Sequence, residues 1–155
     1  MPTSDDRSQA QLPDNQDGLN LSGYLKLYAA MLPVFFAVDM LWLGVVADTF
    51  YRSRLGHLLA PEVNWPAALT FYLIYIAGIL IFAVAPGLRA ASLNKTLLLA
   101  AGFGFFTYAT YELTNMATLP GWPISVVVVD SIWGVVLCTI VAAAGFTVGR
   151  RIGRV

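Results

Sequence analysis

The sequence predicts an all-α membrane protein, a four-helix transmembrane bundle with both termini cytoplasmic, and three observations carry that expectation. Apolar residue types fill 58% of the 155 positions and charged types only 12%, whereas soluble domains carry about 25% charged residues. The apolar residues gather in four blocks, 24–47, 66–85, 96–115 and 123–149. Each block is near or above the ~20 residues that cross about 30 Å of hydrocarbon. Within a block they run on without alternation, so the backbone must satisfy itself as a helix rather than as a barrel strand.

The elements follow in order. Residues 1–22 hold Asp5, Asp6, Asp14 and Asp17 among Ser, Gln, Asn and Pro, too little apolar content to fold alone, and read as a disordered polar tail. Residues 23–155 form one membrane domain. The first block is too long and too late for a secretory signal and is expected to stay as an anchor. Pro33 lies inside it; by removing one backbone bond it is expected to bend the helix just before Asp39. Asn64 caps the second helix, which Pro66 begins and Pro86-Gly87 closes. Ser92 or Asn94 caps the third, and Pro123 sits where a first turn tolerates a missing N–H.

Basic residues set the orientation. With both ends inside, the cytoplasmic side holds Arg7, Lys26, Arg89, Lys95, Arg150, Arg151 and Arg154, and the outer side holds Arg52 and Arg54. Seven against two follows the positive-inside rule. The outer connections are then 48–65 and 116–122, where Trp65 and Trp122 stand at helix starts as interfacial anchors.

Three carboxylates fall inside these apolar blocks: Asp39, Glu112 and Asp130. An ionised group near the bilayer centre costs roughly 2.5–3.5 kcal/mol on insertion scales, so such groups face a protein interior and mark function. The orientation puts Asp39, Trp42, Tyr72, Tyr75, Tyr108, Tyr111, Glu112, Asn115, Asp130 and Trp133 in the outward halves of the four helices. Tyr108, Tyr111, Glu112 and Asn115 recur at helical spacing on one face. Asp39 with Trp42, Tyr72 with Tyr75 and Asp130 with Trp133 are co-facial pairs three residues apart. Four polar faces at one depth predict a shared, outward-facing pocket of carboxylates and aromatics. A buried hydrogen-bond network of purely structural purpose is the competing reading of the same residues.

Other features are weaker. Arg52, Arg54 and His57 in the first outer connection are candidates for holding a phosphate or lipid headgroup. Gly134, Cys138, Ala142, Gly145 and Gly149 form a small-residue stripe suited to close helix approach or homo-oligomer formation. One cysteine excludes an intramolecular disulfide. No metal is expected, since the carboxylates and His57 would converge only if the outer connection folded over the bundle.

The strings Asp39-Met40-Leu41-Trp42-Leu43-Gly44, Tyr111-Glu112-Leu113-Thr114-Asn115-Met116-Ala117-Thr118-Leu119, Trp122-Pro123 and Asp130-Ser131-Ile132-Trp133-Gly134 together resemble the membrane protein family catalogued as domain of unknown function 2177. The resemblance runs from about Tyr24 to the C-terminus. It implies four spans in a bacterial cytoplasmic (inner) membrane and implies no activity. Glu112 departs from the Asp that the family pattern leads one to expect, with the carboxyl kept one methylene further out.

Three function classes remain. One is a binding protein for a small molecule or lipid headgroup, extending to a proton-coupled carrier. Another is a membrane enzyme acting on lipids with Asp39, Glu112 or Asp130 as acid or base, although no nucleophile is identifiable. The third is a structural or accessory subunit. The expected partners are membrane lipids and such a ligand, not nucleic acid; the sequence names no cofactor.

Overall fold

Every regular element among the described residues is helical. The structure, a computed structural model, describes residues 19–153. Nearly all of the tail read from the sequence, and Arg154, lie outside the described residues. Helix α1 (Leu21–Trp42) runs through a π-turn, Leu43–Ala47, into the short α2 (Asp48–Leu55). Helix α3 (Trp65–Ile79) runs through a second π-turn, Leu80–Val84, into α4 (Ala85–Arg89). The long helices α5 (Leu93–Thr118) and α6 (Ile124–Ile152) complete the chain.

Local chemistry accounts for most boundaries. Asn20 caps α1 through Gly23 N at 2.8 Å, Asn64 caps α3 through Ala67 N at 3.2 Å, and Ser92 caps α5 through Lys95 N at 3.2 Å. Each side-chain oxygen thereby satisfies a backbone donor that the first turn would orphan. Of the two candidate caps for α5, the structure uses Ser92. Pro123 is the residue just before α6 and donates nothing that the turn would miss.

Pro33 lies inside α1, which runs on helically to Trp42; a π-turn follows at Leu43–Ala47. One proline expectation is corrected: Pro86-Gly87 does not close the second helix. The π-turn before it, in which Ala85 N–H bonds to Leu80 O, widens the backbone where the Pro86 ring would otherwise press on the preceding turn. The helix therefore runs on to Arg89. Gly87 is retained by contact: a Cβ there would lie 1.7 Å from Thr96 Oγ1 at the start of α5.

Among the described residues, three elements are long and apolar enough to cross a membrane: Leu21–Val46, Trp65–Arg89 and Ile124–Ile152. Helix α5 matches them in length, with 26 residues, or about 39 Å. It is diluted by Thr107, Tyr108, Thr110, Tyr111, Glu112, Thr114 and Asn115 and is not among the three.

Packing centres on α6, against which α5 makes the most extensive contact and α1 the next. The closest approach is at Gly104 of α5 and Gly134 of α6, where a Cβ on Gly104 would stand 2.2 Å from Gly134 O. The small-residue stripe is spent inside the chain. Gly134 lies under the Tyr108 ring, Gly145 meets Met31 and Val84, Gly149 meets Leu88 and Leu27, and Cys138 and Ala142 are fully buried. Close helix approach within the chain, one of the two uses expected of the stripe, is the use seen here.

Candidate functional site

Polar side chains from all four long helices meet at the end of the molecule that carries α2 and the α5–α6 connection. Asp39 comes from the last turn and a half of α1, Tyr72 from the first half of α3, Tyr108 and Glu112 from the second half of α5, and Asp130 and Trp133 from the first turns of α6. Late residues of one helix meet early residues of the next. The helices therefore alternate in direction.

Glu112 and Asp130 form the centre, lying side chain to side chain within hydrogen-bonding reach. Glu112 is 1% exposed. A carboxylate oxygen only accepts, so a hydrogen bond between two carboxyl groups requires one proton between them. The remaining partners are neutral donors. Trp122 Nε1 donates to Glu112 Oε2 at 2.8 Å, and the Tyr51 hydroxyl donates to Asp130 Oδ1. Trp42 Nε1 in turn donates to the Tyr51 oxygen at 3.3 Å. Burial, and then the hydrogen bond to Asp130, push the Tyr51 phenol above its ordinary pKa, so it stays a donor over the working pH range.

Asp39 occupies a neighbouring position rather than the same one. Tyr72 donates to its Oδ2 at 2.9 Å, and the buried indole N–H of Trp133 faces the same carboxyl without closing a well-formed hydrogen bond. The two positions are joined by aromatic contact: Trp42 and Trp133 stack with centroids 4.3 Å apart and planes 8° from parallel. Tyr108 lies within electrostatic reach of both Asp39 and Asp130.

Of the residues expected in the pocket, Asp39, Trp42, Tyr72, Tyr108, Glu112, Asp130 and Trp133 are brought together. Tyr75 sits one turn away, its hydroxyl between Thr107 Oγ1 (2.8 Å) and Cys138 Sγ (3.1 Å), with its ring against Phe103 and Tyr108. Tyr111 does not join. It is 62% exposed, because successive helical residues turn by about 100° and Glu112 takes the inward position. Asn115 is half-buried with its Nδ2 unpartnered, in a groove beside Phe106, Thr110 and Tyr111 that none of the carboxylates lines.

The connection between α1 and α3 does fold over the bundle, and it brings the Tyr51 hydroxyl to the acid pair. Arg54 turns back on its own helix, its guanidinium 4.0 Å from the Phe50 ring centroid and donating to Phe50 O. His57 is exposed and lies near Gly121 in the other connection. Among the described residues no three His, Cys, Asp or Glu side chains converge as metal ligands.

Two participants escaped the sequence reading. Tyr51 lies outside the apolar blocks, in a segment expected to be a loop; only the π-turn and α2 swing it over Asp130. Trp122 is assigned by pattern to the interfacial belt, yet it donates to Glu112. For Trp122 a signal existed, since its indole follows Glu112 by ten residues across a short connection.

The profile of a family described as "Predicted membrane protein (DUF2177)" matches residues 24–147. The chain belongs to this family. Its matched region contains every residue of the polar layer, Tyr51 and Trp122 included. No curated protein and no solved structure matches the chain.

Proposed function

We propose that this protein is a four-span protein of a bacterial cytoplasmic membrane, with both termini inside. On this reading the polar layer binds a small molecule or lipid headgroup at the outer side, and exchange of the proton held between Glu112 and Asp130 makes it a proton-coupled carrier. The observation that carries the reading is the pairing of buried Glu112 with half-buried Asp130, held by Tyr51 and Trp122 through neutral donors. A pair holding one proton accepts a positively charged or hydrogen-bond-donating group by releasing it. A purely structural bundle has cheaper ways to fill that space, because apolar side chains of similar volume need no compensating partners.

The alternating helix directions support the fourth crossing. Helices α3–α4 and α6 are both long and apolar enough to span, and α5 joins the end of one to the start of the other. Its polar residues are those that build the layer, which is why its hydropathy falls behind. The distribution of Lys and Arg, seven against two, supports the inward termini.

Alkaline-phosphatase fusions after Trp65 and Trp122 should be active, and fusions after Leu93 and Val155 inactive. The reverse pattern overturns the outward-facing layer. Native mass spectrometry of the purified protein should find a bound ligand that is lost on Asp130→Asn. A ligand-free wild type, with the Asp130→Asn variant unfolding several kcal/mol more readily, would reduce the layer to architecture.

A further inference from the structure

Close contacts tie the end opposite the polar layer into a knot. A Cβ on Gly149 of α6 would stand 2.6 Å from Leu88 of α4 and 3.3 Å from Leu27 of α1, and one on Gly87 of α4 would strike Thr96 of α5. The residues of this knot have cations beside them in the chain. Lys26 precedes Leu27, Arg89 follows Leu88, Lys95 precedes Thr96, and Arg150 and Arg151 follow Gly149. All five are exposed. Packing of four helices therefore gathers around one point positive charges that lie far apart in the sequence.

Among the described residues no carboxylate stands with them. Asp39, Asp48, Glu62, Glu112 and Asp130 all belong to the other end, in the polar layer or in the connection between α1 and α3. Arg89 is already engaged, which leaves Lys26, Lys95, Arg150 and Arg151. Local helix chemistry explains only part of this arrangement. Arg150 and Arg151 lie in the last turn of α6, where the helix dipole favours a cation. Lys95 lies in the first turn of α5, its backbone N–H on the Ser92 cap, where the dipole disfavours one. An anion outside the chain supplies the missing compensation.

The surface beside the cations says what carries that anion. Leu98 lies one turn deeper along α5, on the same face as Lys95, and is 74% exposed. Leu25, next to Lys26, and Leu93, at the start of α5, are exposed as well. The charges thus stand at the edge of an apolar wall on helices of membrane-spanning length, the level at which phospholipid phosphates lie.

We propose that this knot of cations holds the phosphate of one anionic phospholipid, whose acyl chains lie along the exposed wall of α5 at Leu98. The guanidinium groups of Arg150 and Arg151 offer paired N–H donors to phosphate oxygens, and Lys26 and Lys95 add point charges. Basic clusters between spanning helices recognise anionic headgroups in this way. The site is separate from the polar layer and independent of what that layer binds.

The test follows binding to the full chain in mild detergent by native mass spectrometry. The probes are dioleoylphosphatidylglycerol, dioleoylphosphatidylcholine and glycerophosphoglycerol, the last being the anionic headgroup without its acyl chains. The wild type should hold one phosphatidylglycerol about tenfold more tightly than either of the others. Arg150→Gln with Arg151→Gln, and Lys26→Gln with Lys95→Gln, should each weaken it about tenfold and leave phosphatidylcholine unchanged. Arg52→Gln with Arg54→Gln removes the same charge from the opposite end and should leave phosphatidylglycerol binding as it was. Equal binding of the two lipids, or equal losses from either end of the molecule, overturns the site. Glycerophosphoglycerol binding as tightly as the lipid overturns the role of the apolar wall and with it the phospholipid. Phosphatidylglycerol binding that appears only when Asp5, Asp6, Asp14 and Asp17 are all changed to Asn gives the face to the chain's own acidic segment and likewise overturns the lipid.

Discussion

The two ends of this molecule are built on opposite principles. At the end bearing the termini, Leu27, Met31, Val84, Val141 and Ala142 are completely buried, and Gly145 and Gly149 let Met31, Val84 and Leu88 close onto α6. That end holds together by shape. At the other end Asp39, Glu112 and Ser131 are buried, and the contacts are directional: Tyr72 to Asp39, Tyr51 to Asp130, Trp122 to Glu112. It leaves two donors, Trp133 Nε1 and Asn115 Nδ2, without partners. A packed end tolerates no loss of volume, whereas a polar end answers to loss of particular donors and protons. On the proposed function, the packed half is the scaffold and the polar half the site.

The largest effect should come from the packed end. Leu27→Ala removes a fully buried side chain that touches the Gly149 position, and should cost about 2–5 kcal/mol in unfolding experiments in mild detergent. A cost below that of any change in the polar layer would reverse the assignment of scaffold and site.

Next is the junction between the two halves. Gly104→Ala forces a Cβ toward the Gly134 carbonyl, which is backbone and cannot swing aside. Strain of about 1–3 kcal/mol is expected, together with displacement of Tyr108, whose ring covers Gly134. Unchanged stability together with an unchanged Tyr108 environment by NMR would mean the helices can part there freely.

A smaller effect is expected at the lid of the polar end. Tyr51→Phe deletes the hydroxyl that donates to Asp130 and accepts from Trp42, and should cost about 1–2 kcal/mol. Faster hydrogen exchange should be confined to α2 and the π-turn before it. Protection lost equally at both ends would show one cooperative body with no separable lid.

The smallest stability change should accompany the clearest spectroscopic one. Asp130→Asn keeps the size of the side chain and an acceptor for Tyr51, so it should shift stability by less than about 1 kcal/mol. Infrared spectra at neutral pH should nonetheless lose the protonated-carboxyl band of the Glu112–Asp130 pair. A wild type without such a band would sink the shared proton.

Asp39 shows where the sequence reading was strong and where it stopped. That it faces the interior was legible, since an acid in an apolar helix has nowhere else to go; that it stands beside the acid pair and not within it was not. Tyr111 teaches the same lesson from the other side. Spacing alone put it on a face with Tyr108 and Glu112, but a face is broad, and which residue at its edge turns inward depends on the neighbouring helix.

By itself the sequence determined the helical class, the apolar blocks, the caps at Asn64 and Ser92, the membership of its family and the burial of Asp39 and Glu112. All of these follow from composition, local spacing and the cost of leaving polar groups in lipid, and none needs to know which helix lies beside which. Tertiary structure alone decided that Glu112 pairs with Asp130, that Tyr51 and Trp122 serve that pair, that the small-residue stripe is consumed within the chain, and that Pro86 is carried by a π-turn. Those outcomes depend on rotation about helix axes and on crossings as close as Gly104 on Gly134, quantities fixed by packing between segments distant in sequence.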